Sequence, residues 1–140
     1  MLAAAAEAAA ALPRPPQLLA VTLLTSLDPE QLAMIGIPSP ALEQVRRLAH
    51  LADRAGIPGL VCSPEEIAEV RQFLPDMTLV IPGIRPSGAA IGDQKRIATP
   101  ASAIRDGASY LVVGRPITRA ADPLSAAQAI LQEIADALPG

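Results

Sequence analysis

With 140 residues the chain is long enough for one domain and too short for a complete eight-stranded α/β barrel, which takes about 250. A net charge of −3 and a pI near 5.0 oppose nucleic acid as a general partner, because binding to a phosphate backbone leaves a basic stripe and none is visible. Phe73, Tyr110 and no tryptophan leave an aliphatic core and no stacking platforms for single-stranded nucleic acid or sugar rings.

In chain order, Met1 to Leu12 is alanine-rich, carries Glu7 and lacks a basic leader. It is too short and too weakly apolar for a membrane span or a signal peptide, so it reads as a helix. Leu18 to Leu24 is a charge-free apolar run, the pattern of a parallel strand covered on both faces. Asp28-Pro29 with Gln31 opens a short helix through a capping box. Ser39-Pro40 opens a longer one to Ala55, with Leu42, Val45, Leu48, Ala49 and Ala52 on one face and Gly56 as its stop.

Gly59 to Cys62 is a second strand, and Ser63-Pro64-Glu65-Glu66 caps a helix to about Phe73. Thr78 to Ile81 is a third strand, released into Pro82-Gly83-Ile84-Arg85-Pro86 and a glycine-broken loop that reaches Gly92-Asp93-Gln94-Lys95-Arg96. Thr99-Pro100 starts a short helix that ends at Gly107. Tyr110 to Val113 is a fourth strand, ending in Gly114-Arg115-Pro116-Ile117. Asp122-Pro123 starts the last helix, which runs to Leu138 with Leu124, Ala127, Leu131, Ile134 and Leu138 at helical spacing. Five of the fifteen prolines thus follow an N-cap residue and mark helix starts.

Four strand-then-helix units predict right-handed crossovers, a parallel sheet and an α/β fold amounting to half of a TIM (β/α)8 barrel. Residues 1–140 are expected to form one partial domain that lacks the N-terminal strands. Such a half exposes two strand edges and an inner layer, which favours self-association.

Successive parallel strands that release glycine, arginine and glutamine at their C-terminal ends build an anion pocket, so a phosphorylated small molecule is the expected ligand. Taken singly, Arg85 and Arg115 read as surface arginines; together, each just past a strand, they favour a site. Thr25 and Ser26 have two readings, ending a strand and touching a ligand at the barrel's C-terminal rim. Gly88 reads as a turn glycine, His50 as part of a solvated helix face, and Asp93 and Asp122 as capping residues. Lys95 and Arg96 add positive potential near the anion. Cys62 cannot form an internal disulfide and reads as a small buried hydrophobe, in keeping with a reducing, cytoplasmic setting.

Four ordered motifs resemble the orotidine 5′-phosphate decarboxylase family over essentially the whole chain: Leu19 to Ser26, Gly59 to Pro64, Pro82 to Arg85 with Gly92 to Pro100, and Leu111 to Thr118. They look like that family's fifth to eighth strands. The resemblance implies that Thr25, with Ser26, lies against the pyrimidine and that Arg85, Gln94, Gly114 and Arg115 serve the phosphate of a nucleotide monophosphate, orotidylate or uridylate. It implies no metal or organic cofactor, a homodimer of the full-length enzyme, and no nucleic-acid or membrane partner.

The family's catalytic array, of the form Asp-x-Lys-x-x-Asp with a further lysine upstream, is missing. Lys95 is the single lysine, so no catalytic residue is expected in this chain. The chain reads as the C-terminal part of a longer enzyme, begun at an internal methionine and inactive by itself. A sugar-phosphate decarboxylase or aldolase-like relative, and a non-catalytic half-barrel interaction module, are the alternatives.

Overall fold

A computed structural model describes residues 1–86 and 96–138. Its elements are α1 (Leu2–Ala10), β1 (Leu19–Val21), α2 (Pro29–Met34), α3 (Ala41–Arg54), β2 (Gly59–Val61), a 3-10 turn (Pro64–Glu66), α4 (Ile67–Phe73), β3 (Thr78–Ile81), α5 (Pro100–Arg105), β4 (Tyr110–Leu111), α6 (Arg115–Thr118) and α7 (Pro123–Ala137). The strands lie side by side in sequence order and every pair is parallel. This is four βα units of a TIM barrel, with strands shorter than the apolar runs suggested.

Strand alternation splits the sheet into two unlike faces. Leu60, Leu79 and Ile81 point toward the helices and are fully buried with Val45, Ala49 and Ala52 of α3, Ile67 and Val70 of α4, and Ala103 of α5. Each of the leucine, isoleucine and valine side chains among them contributes about 1.5–3 kcal/mol when taken from water. The opposite face carries the cross-strand row Val21, Val61, Val80 and Tyr110, and here Val21 is 57% and Tyr110 61% exposed. Among the described residues this inner side is open at both outer strands, in keeping with the expectation that half of a barrel exposes its inner layer.

Four of the five proline-marked helix starts hold. Asp28, Ser63, Thr99 and Asp122 each accept a hydrogen bond from a backbone N–H of the turn they open, and Asp28 and Ser63 complete capping boxes with Gln31 and Glu66. Ser39 does not. The helix begins at Ala41 with Pro40 as the flanking residue, so Ser39 stands one position too early and its hydroxyl accepts from Arg47 instead, at 3.2 Å.

The last helix also differs from the reading of its apolar spacing. Ile130 is its buried residue, while Leu124 and Leu131 are 68% and 64% exposed. α7 packs on α5 and α6. The Leu131 side of the helix overhangs β4, lining a groove with Tyr110, Leu111 and Val113.

At the N-terminal ends of β3 and β4, Arg71 ties the loops together. Its guanidinium donates to the carbonyls of Pro75, Met77 and Gly107 and to Ser109 Oγ, which in turn accepts from the Leu79 N–H at 3.0 Å. Gly107, at φ 105°, takes the left-handed turn that brings its carbonyl there.

Candidate substrate-binding rim

Because the strands are parallel, their C-terminal ends share one rim, and three of the candidate residues recur at the same place on it. Thr25 lies four residues past the end of β1, Arg85 four past β3, and Arg115 four past β4. Thr25 is buried, Ser26 half-buried, Arg85 only 8% exposed and Arg115 half-buried. Thr22, one residue beyond β1, continues the sheet by donating its hydroxyl to the Val61 carbonyl at 2.9 Å.

Arg85 is held by its backbone and its side chain. Its N–H donates to the Ala98 carbonyl at 2.9 Å beside a parallel bridge between Ile84 and Ala98, and its Nη1 donates to the Ile84 carbonyl at 2.7 Å. Gly114 is the N-cap of α6 and Arg115 is that helix's first residue. A Cβ placed on Gly114 would meet no atom of the described residues within 4 Å. Gln94, the remaining candidate, lies outside the described residues, as do Gly88, Gly92, Asp93 and Lys95.

The rim contains a charged pair that the sequence reading did not find. Arg96 forms a buried ion pair with Glu66 and donates from Nη2 to the Leu24 carbonyl at 3.0 Å, while Glu66 Oε2 accepts from the Ser63 N–H at 2.9 Å. Three βα connections are thus joined through one guanidinium. Arg96 Nε has no hydrogen-bond partner among the described residues. Arg96 was expected to lend positive potential to an anion; instead its charge faces a carboxylate. Glu66 was legible as a capping residue, but a partner thirty positions away leaves no local pattern.

Burial pushes the Glu66 carboxyl above its usual range, and Arg96 and the Ser63 N–H pull it partly back. Cys62 is fully buried beside this pair. Burial, then the Glu66 charge, push its thiol up to about 12, which removes it as a nucleophile at neutral pH. His50 is exposed and packs against Phe73 with the rings tilted by 38° and their centroids 4.8 Å apart. Asp122 is occupied in capping Ser125, as read from the sequence. Among the described residues no three His, Cys, Asp or Glu side chains gather closely enough to hold a metal ion, and no helix is long and apolar enough to cross a membrane.

A parallel βα sheet with polar side chains on the overhang past its strand ends is the C-terminal rim of an α/β barrel, where that fold carries its ligands. The comparisons make the class specific. Residues 1–130 match the family model described as Orotidine 5′-phosphate decarboxylase / HUMPS family, and the chain belongs to that family.

The orotidine 5′-phosphate decarboxylase of Moorella thermoacetica is 55% identical over 135 residues, which is 94% of this chain and 54% of that protein. The one from Gluconobacter oxydans is 57% identical over 123 residues, covering 87% and 52%. Among solved structures, the enzyme from Lactobacillus acidophilus superposes with a TM-score of 0.78 at 38% identity, covering 96% of this chain and 58% of its own. That from Pyrococcus horikoshii gives 0.64 at 26% identity, covering 86% and 52%. The chain spans about half the length of the curated relatives it matches.

Proposed function

We propose that this chain is the substrate-gripping half of an orotidine 5′-phosphate decarboxylase, the enzyme that converts orotidylate to uridylate and carbon dioxide. The observation that carries the reading is the recurrence of Thr25, Arg85 and Arg115 four residues past three parallel strands on one rim. In this reading Arg115 and Arg85 meet the phosphate, since a planar guanidinium matches its oxygens with two parallel bonds. Gly114 leaves open space for close backbone approach, Gln94 bridges phosphate and base, and Thr25 with Ser26 faces the pyrimidine.

Phosphate held far from the reacting carbon supplies binding energy that orients the base for chemistry performed elsewhere in the barrel. That chemistry needs the lysine and aspartate array absent here, so residues 1–140 form a partial domain that binds and does not decarboxylate. The complete barrel's homodimeric state and a cytoplasmic setting belong to the same proposal.

Titration calorimetry with uridine 5′-monophosphate tests it. Weak binding that Arg115→Ala abolishes, with circular dichroism unchanged, is expected, together with no loss of the orotate chromophore when orotidylate is added. Equal affinity for pentulose phosphates would favour the sugar-phosphate reading, and turnover by the purified chain that depends on Arg115 would refute the division of labour.

A further inference from the structure

The buried Arg96–Glu66 pair has no part in the proposed phosphate contacts. Arg96 is 7% and Glu66 2% exposed, and both terminal nitrogens of the guanidinium are committed, Nη1 to the Glu66 carboxylate and Nη2 to the Leu24 carbonyl at 3.0 Å. A buried ion pair is weak evidence of stability, because desolvating two charges offsets most of their attraction. What a planar guanidinium adds is direction, since its two terminal N–H groups hold two acceptors at a fixed angle.

The second of those acceptors is the hinge of the turn that carries Thr25 and Ser26. The Leu27 N–H donates to the same Leu24 oxygen at 3.1 Å, which closes a turn with Thr25 and Ser26 at its two central positions. Before the turn, Thr22 is tied to the Val61 carbonyl through its N–H at 3.0 Å and its hydroxyl at 2.9 Å; after it, Asp28 caps α2. Between these anchors the turn's own bond is backed by a side chain from another βα connection. That side chain is itself fixed at both ends. Glu66 is held by the Ser63 N–H, and two residues past Arg96 the Ala98 carbonyl receives the Arg85 N–H beside the bridge to Ile84.

We propose that Arg96, braced by Glu66, is a positioning residue for the Thr25–Ser26 turn and thereby sets the rim's preference for a phosphorylated ligand that carries a base over one that does not. The inference deepens the function proposed above and rests on its placing Thr25 and Ser26 against the base. Arg96 itself does not touch the ligand. It aims the carbonyl that precedes Thr25; water can satisfy that oxygen but cannot hold its direction. Without Arg96 the Leu24–Thr25 peptide is free to rotate and the turn loses its aim. Arg85 keeps its bonds to the Ala98 and Ile84 carbonyls, and Arg115 keeps its place in α6.

Calorimetric titration of the chain with uridine 5′-monophosphate and with ribose 5-phosphate reads the preference as a ratio of affinities. Arg96→Lys keeps a cation for Glu66 but replaces the fixed fork by a single swivelling nitrogen. It should lower the ratio about tenfold, one hydrogen bond's worth, with ribose 5-phosphate binding unchanged. The double variant Arg96→Met with Glu66→Gln strands no charge and separates aim from stability: its urea midpoint should approach that of the unsubstituted chain while the lowered ratio persists. In both variants amide exchange by NMR should quicken at the Leu27 N–H and stay as it was at the Ile57 N–H, which is bonded to the Ala52 carbonyl elsewhere in the fold.

A ratio that neither variant changes, a joint fall in affinity for both ligands, or a ratio restored together with stability in the double variant would overturn the inference and leave the proposed function standing. Unchanged exchange at Leu27 in the folded variants would overturn it with no ligand present. An unsubstituted chain that binds both ligands equally, or neither, removes the base-facing role of Thr25 itself, and the inference falls with that reading.

Discussion

Replacing Arg96 by methionine keeps most of the aliphatic stem and withdraws the cation from a carboxylate that has almost no solvent. Breaking a buried pair by removing one partner costs about 3–5 kcal/mol, because the surviving charge stays inside. Glu66 keeps its hydrogen bond from the Ser63 N–H, and Leu24 is exposed enough for water to replace the lost donor, so the lower end, about 3 kcal/mol, is expected.

The loss has a pH signature. The folded-state pKa of Glu66 already lies above its ordinary 4.5, and Arg96 is the largest influence opposing that rise. Without Arg96 it climbs further. An acid whose pKa is raised by folding contributes stability that is fully present below its unfolded pKa and is lost as pH rises through the folded one. The deficit of Arg96→Met should therefore be smallest in acid and grow toward neutral pH.

Urea unfolding followed by circular dichroism in mildly acidic and mildly alkaline buffers measures it. Adding Glu66→Gln removes the stranded charge, keeps an acceptor for Ser63, and should recover most of the loss and flatten the pH trend. A single-variant cost below about 1 kcal/mol, or a deficit that deepens in acid, would refute the reasoning.

Cys62 should resist thiol reagents at neutral pH until the chain unfolds, with a modification rate that follows global opening; rapid stoichiometric labelling with circular dichroism intact would contradict its burial. Gly107→Ala puts a Cβ 3.0 Å from Arg71 Cγ in a left-handed conformation, and thermal melts should show a cost of about 2–3 kcal/mol. Combined with Arg71→Met the two losses should fall short of additive, since both act on the same bonds, and strict additivity would show that Arg71 and Gly107 are not coupled.

What could be read from the sequence was whatever is encoded within one helical turn or one strand. Asp28, Ser63, Thr99 and Asp122 announce their helices because a cap oxygen and its N–H lie two or three residues apart. Leu79 and Ile81 announce a buried strand because nothing polar interrupts them. Ser39 had the same local pattern and failed, because the competing donor, Arg47, comes from two turns further on.

The overhang of α7 could not be read because its apolar spacing names a face without naming what meets it. Glu66 and Arg96 could not be paired because the chain between them is long and neither position looks unusual in isolation. On the rim, Arg85 and Arg115 were singled out by arginine beside glycine just past an apolar run, a signal carried by adjacency, whereas Thr25 was singled out by its place at a strand end and by the resemblance.

The Arg71 tie has a practical consequence that follows from its position. It fastens the loops that enter β3 and β4, whereas Thr25, Arg85 and Arg115 sit where those strands' and β1's chains leave. Anchorage and the proposed recognition site thus occupy opposite poles of the sheet. Ligand preference can drift at one pole over generations while the foundation at the other goes untouched, and in the laboratory a defect in recognition can be told apart from a collapse of the scaffold.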